Sequence, residues 1–295
     1  MGFRQRSLLL STGLPIEEIA EIMNEVRSGK SLEGSLQVRG EKYLHRYDIF
    51  KKYKELTFSE DLKAPIVVVL GAMPCAGKTT MALELSTAFG FGNVLGDSFR
   101  AALREFIPTE LNPAFFTSVY ESWKFFGDAE TKDAIIRAYE TQARIVNKGV
   151  HRVVADRGLR DGESMICEYL HFLPSYFSED VLHHPSLVPI ILRLDSEDEY
   201  RRRIGLRNKL THLKGNSIRL FDAIPKYLVM QEYQCQDALK KDVPIVSADD
   251  WEVAFDKVMN IIFERIERLI HYRNLPEPEI VKRLVAERRR LQSSG

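Results

Sequence analysis

The chain is 295 residues long, with 44% hydrophobic, 28% charged and 10% aromatic residues, which excludes a disordered, collagen-like or disulfide-scaffold protein. Forty-two lysines and arginines balance forty-two aspartates and glutamates, so no overall positive field draws nucleic acid or an anionic bilayer. Three widely spaced cysteines, Cys75, Cys167 and Cys235, fit no zinc or disulfide pattern and suit a reducing compartment. No apolar run nears the roughly 18 residues that span a membrane, so the expectation is a soluble, cytoplasmic protein.

Apolar residues recur at helical spacing over 8–26, broken by Gly13 and Pro15, which predicts two short helices. Residues 29–35 read as loop, and 43–56 as a basic helix. The run 66–70 is apolar and β-branched, the pattern of a strand covered on both faces. Further strands are expected at 94–95, 165–169, 188–194 and 243–246. Helices are expected at 81–89, 98–106, 128–147, 153–159, after Asp195, at 226–240 and at 251–272. Strands alternating with helices predict an α/β fold with a mainly parallel sheet flanked by helices. The expected organisation is a small, mostly helical domain over 1–60, a core over 61–275 and a basic C-terminal helix and tail over 276–295.

Residues Ala72-Met73-Pro74-Cys75-Ala76-Gly77-Lys78-Thr79 have the phosphate-loop spacing, with Ala72 at the first glycine position and Gly71 just before it. The segment lies between a buried strand and a helix, where backbone N–H groups and the positive helix end converge on an anion. Residues Gly71 to Thr80 are thus the expected cradle for ATP, with Lys78 reaching the β- and γ-phosphates and Thr79 holding Mg²⁺.

Asp97, at the end of the second strand, is placed to accept a hydroxyl proton or to order Mg²⁺ through water, with helix capping as its structural alternative. Arg100 and Arg104, one turn apart on one helix face, are read as grips for an anionic substrate or as a surface pair. Glu168 ends the next strand, where an acid meets the Mg²⁺ shell, and His171 follows beside the same crevice, either at the site or as a packed, hydrogen-bonded loop residue. The cluster Arg201 to Arg207 occupies the place of a lid that closes over the donor phosphates, with a solvated ion-pair face with Glu197, Asp198 and Glu199 as its alternative; Arg203 is assigned to catalysis and Arg207 to the nucleotide.

With these residues goes an ordered set of short segments: RSLLLSTGLPIEEIAEIMNEV, YLHRYDIFKKY, GDSFRAALR, TSVYESW, DGESMICEYLHFLP and MQEYQCQDA. Through them the chain resembles the archaeal 2-phosphoglycerate kinase family over about 260 residues. The resemblance implies an ATP-cone-like N-terminal domain on a P-loop kinase core. It implies transfer of the ATP γ-phosphoryl group to the 3-hydroxyl of 2-phosphoglycerate, giving 2,3-bisphosphoglycerate and ADP. It places Ser118, Tyr120 and His171 with Asp97 and Arg100 on the side of the small phosphorylated acid. The sequence departs from the family pattern at the phosphate loop, at Tyr169, expected to add bulk beside the pocket, and at Ser175. Two alternatives stand beside this reading: an RNA-modifying kinase similar to phosphoseryl-tRNA kinases, and a nucleotide sensor without catalysis.

Overall fold

The computed structural model describes residues 3–210, 217–276, 279–280 and 282–283. Five parallel strands form one sheet: β1 (Val67–Ala72), β2 (Gly92–Leu95), β3 (Met165–Tyr169), β4 (Leu187–Arg193) and β5 (Ile245–Ser247), in the order β2-β3-β1-β4-β5. β1 lies at the centre, paired with β3 and β4, and every residue in it is buried. That double cover explains its unbroken apolar run. β4 carries Pro189 mid-strand, a position that normally lacks a proline. Its missing N–H faces the β5 side, since the Ile191 amide two residues on bonds Pro244 there. β5 pairs only from Ile191 onward, so no ladder bond is lost.

Side chains alternate across β1. Val68 and Leu70 enter a core with α5 (Lys78–Phe89) and the last long helix, α10 (Trp251–Tyr272); Val67 and Val69 enter a second core with the later half of α7 (Lys132–Val153). α6 (Gly96–Arg104) follows β2, while α8 (Glu197–Leu210) and α9 (Ile224–Lys240) lie between β4 and β5. Thr131 caps α7 through the Ala134 amide, and Asp250 caps α10 through that of Val253. The predicted helix over 153–159 is a wider π-type continuation of α7 over Val154–Arg160.

Four helices precede the sheet: α1 (Phe3–Leu10), α2 (Ile16–Arg27), α3 (Leu32–Arg39) and α4 (Glu41–Phe58). α3 corrects the expected loop. Ser31 caps it by accepting from the Gly34 amide, and Leu32 and Leu36 are buried against Leu9, Ile19 and Ile22. α4 straddles two cores: Tyr47 belongs with the leading helices, whereas Phe50, Tyr53 and Leu56 pack in the core of the sheet. Arg46, with its side chain 3% exposed, fixes this junction. It donates to the Thr12 carbonyl at 3.1 Å and to Asp256 and Asn260 on α10 at 2.7 Å each. Of the expected C-terminal helix and tail, residues 284–295 lie outside the described residues; Ile280 packs on Tyr272.

Replacing Arg46 with methionine keeps the aliphatic stem but orphans a buried carbonyl and the Asp256 and Asn260 oxygens. The expected loss is about 2 to 4 kcal/mol of unfolding free energy, measured by urea titration. A variant as stable as the parent would show that this junction is not a keystone.

Candidate active site

Between β1 and α5 the chain turns through Met73 to Gly77, and the turn floors a cleft of about 780 Å³. Cys75 and Gly77 both take left-handed backbone, with φ of 68° and 91°. At position 77 a Cβ would stand 3.1 Å from the Trp251 ring and 3.3 Å from the Arg203 guanidinium, so glycine serves both the turn and the close approach. Lys78, Thr79 and Thr80 open α5 and line the cleft.

The register pairs Leu70 of β1 and Leu95 of β2 with Glu168 of β3. This sets the Glu168 carboxylate at the cleft's root, with its side chain 3% exposed. Lys78 Nζ lies 3.2 Å from Glu168 Oε2, and the Thr79 hydroxyl donates to Oε1 at 3.1 Å. Burial pushes this carboxyl above its ordinary range, against the pull of Lys78 and Thr79. Hydroxyl and carboxylate together are a hard oxygen donor set of the kind that holds Mg²⁺ alongside phosphates. Among the described residues no cluster of three or more His, Cys, Asp or Glu side chains is set to hold a metal by itself.

Asp97 faces the same cleft from the first turn of α6 and makes no capping bond. Its nearness to Glu168 depends on Gly96: a Cβ there would fall 2.1 Å from that of Tyr169 and 2.7 Å from the Glu168 carbonyl oxygen. Tyr169 itself does not crowd the pocket. It points into the opposite core, where its hydroxyl donates to Asn147 at 2.9 Å.

The two arginines of α6 are committed to the backbone. Arg100 donates to the carbonyls of Phe115 and Thr117 at 2.9 and 2.8 Å, and Arg104 to that of Phe115 at 3.0 Å. Arg104 does not line the cleft; Arg100 does, and its Nε is buried with no hydrogen-bond partner. Burial and the neighbouring Arg104 lower the Arg100 guanidinium to about 10, so it stays charged at neutral pH. Ser118 and Tyr120, just beyond the gripped carbonyls, line the cleft with Val119, Leu170, Leu220 and Tyr227.

His171 is not brought to the cleft. It is 3% exposed and stacks on Tyr139 at 5.7 Å. Its Nε2 sits 3.0 Å from Gln142 Oε1. The Gln142 amide nitrogen donates to Ala114 and Thr117 carbonyls, so its oxygen must accept and His171 carries its proton on Nε2. Desolvation first, then Arg100, Lys78 and Arg104, holds the ring well below its ordinary pKa, and it is neutral.

On the lid side, Arg203 is held by Glu199 at 2.6 Å and by the Ala248 carbonyl, with its guanidinium against the phosphate loop. Hydrogen bonds from Arg202 and then Arg203 hold the Glu199 carboxyl down at about 2. The Arg207 side chain and residues 211–216 of the expected lid lie outside the described residues. Sequence reasoning did not single out Trp251, Gln142 or Asn147. For the two amides a signal was present: each is a polar residue within the apolar stripe of α7.

No protein-family model matches the chain. The 2-phosphoglycerate kinases of Methanocaldococcus jannaschii and Pyrococcus furiosus are 29% and 26% identical to it, over 81% and 93% of this chain and 78% and 92% of theirs. The mevalonate-3-phosphate 5-kinase of Thermoplasma acidophilum is 32% identical over 203 residues, 68% of this chain and 98% of that protein. The chain belongs to the family of that mevalonate-3-phosphate 5-kinase. It is an ATP-dependent small-molecule kinase with an alcohol acceptor, and the RNA-directed and non-catalytic alternatives give way to that reading. Among the described residues, no helix is long and apolar enough to cross a membrane.

The buried neutral histidine should make this kinase acid-sensitive. In the unfolded chain His171 takes a proton below pH about 6.5, whereas in the fold it resists one, so stability is full above that pH and falls as the pH drops. His171→Gln, which keeps a donor toward Gln142, should remove up to about 2 kcal/mol of the loss between pH 6.5 and 5. Urea midpoints of both proteins across that range measure it; parallel curves would contradict the assignment.

Proposed function

We propose that the phosphate loop takes ATP with Mg²⁺ and that the face formed by α6 and residues 118–120 takes a phosphorylated hydroxy acid, 2-phosphoglycerate in the first instance. The observation that carries this is the set of groups at one cleft: Lys78, Thr79 and Glu168 at the root, Asp97 beside them, and the unpartnered Nε of Arg100 on the acceptor side. A buried guanidinium N–H without a partner invites an anionic oxygen. That suits an acceptor already carrying phosphate and carboxylate.

In this reading Lys78 moves from Glu168 to the β- and γ-phosphates, and Thr79 and Glu168 serve as the protein's oxygens around Mg²⁺. Mg²⁺ held there would supply positive charge against the phosphate oxygens. Asp97 orients the acceptor hydroxyl and takes its proton as the oxygen–phosphorus bond forms and ADP leaves. Arg203, already against the loop, stabilises the charge on the moving phosphoryl group. Trp251 sits where its ring meets the nucleotide, beside Gly77. The leading helices over 1–60 are proposed as an appendage that braces the core through α4.

A second acceptor is supported by two observations. The Thermoplasma relative is by name a mevalonate-3-phosphate 5-kinase, and the acceptor side here presents Val119, Leu170, Leu220 and Tyr227. Such apolar lining fits a branched aliphatic acid better than a three-carbon one.

Coupled ADP-release assays with each acceptor decide between them. The expected outcome is acceptor-dependent turnover with at least one, and no turnover with either would refute the proposal. Lys78→Met should lower turnover on the order of 10²- to 10³-fold or more in a folded protein; an unimpaired variant would remove Lys78 from the chemistry. In a Trp123→Phe background only Trp251 remains, and ATP should change its fluorescence saturably. A flat titration would place the nucleotide elsewhere.

A further inference from the structure

The chemistry above leaves a buried polar network without a role. Gln142 and Asn147 have no exposure to water, on a helix face otherwise made of Ala138, Tyr139, Ala143 and Val146. Buried amides are costly unless their hydrogen bonds are made, and these two bond backbone at the acceptor side. Gln142 Nε2 donates to the Ala114 carbonyl at 2.6 Å and to that of Thr117 at 3.1 Å. Asn147 Nδ2 donates to the His171 carbonyl at 2.6 Å. The Thr117 carbonyl therefore receives two donors, Gln142 from below and Arg100 from the cleft side.

An amide has no intrinsic preference between its two orientations, and a flipped Gln142 would turn its oxygen toward two carbonyls. The two carbonyls disfavour that flip, and His171 in its Nε2–H tautomer reinforces the observed orientation. Its Nε2–H can only donate to Gln142 Oε1, and its ring is held by stacking on Tyr139, whose hydroxyl donates to the Leu170 carbonyl at 3.0 Å. Ser118 and Tyr120 follow the clamped carbonyl directly and face the cleft.

We propose that Gln142, oriented by His171, is a positioning residue that fixes the segment 113–120 over the phosphate loop and so sets affinity for the acceptor. This rests on the acceptor lying where the proposed function puts it. The hydrogen bonds of Gln142 go to Ala114, Thr117 and His171 and not to the phosphate loop or α5, so its loss should act on the acceptor and leave ATP binding alone. Losing two hydrogen bonds to the segment is worth about ten- to a hundredfold in acceptor KM.

The test uses full-length Gln142→Met, which keeps side-chain length without the amide. Expected are a ten- to hundredfold rise in acceptor KM, an unchanged KM for ATP, and faster amide hydrogen exchange over 113–120. His171→Phe should give the same pattern at smaller amplitude, and His171→Gln should restore parental acceptor KM. Should Gln142→Met fail to fold, this histidine pair decides. Acceptor KM within twofold of the parent with unchanged exchange would overturn the proposal, as would a parallel rise in KM for ATP. If the parent protein phosphorylates no acceptor, the functional reading fails, and hydrogen exchange alone then judges the clamp.

Discussion

A carboxylate almost out of reach of water governs the cleft. Glu168 sits where burial disfavours its charge, and Lys78 and Thr79 are the groups that offset that cost. Strand pairing fixes all three: β3 lies against β1, so the acid that ends one strand stands over the helix that follows the other. Lys78 cannot leave for a phosphate without stranding a buried negative charge unless another cation takes its place. In the proposed reading, nucleotide and metal would thus be coupled through this one ion pair.

The second constraint is backbone carbonyls. The segment from Pro113 to Tyr120 has only one helical turn, Pro113–Phe116, and a short 3₁₀ stretch after it, Ser122–Phe125. The carbonyls of Ala114, Phe115 and Thr117 accept from long side chains on α6 and α7. Shape on the acceptor side thus comes from long polar side chains reaching inward, while the phosphate side is shaped by glycine and a strand-to-helix turn.

That difference explains what could be read from the sequence. The phosphate loop, the central strand and Glu168 are local signals, because spacing, β-branching and strand ends act within a few residues. Arg100 and Arg104 at i and i+4 looked like grips for an anion, and nothing within α6 reveals that carbonyls 11 to 17 residues away claim them. His171 looked like a loop residue by the crevice; the helix face that encloses it is 29 residues distant in sequence. Residues 29–35 looked like loop because Gly and Ser were counted as breakers, when Ser31 was a cap and Leu32 and Leu36 had a core to enter.

α4 carries a consequence of another kind. Because Phe50, Tyr53 and Leu56 belong to the core of the sheet while Tyr47 belongs to the leading helices, neither part can come apart without exposing the other's apolar surface. The leading helices and the sheet are therefore expected to melt as one cooperative unit. A ligand gripping the phosphate loop should then protect amides in α4, which does not line the cleft.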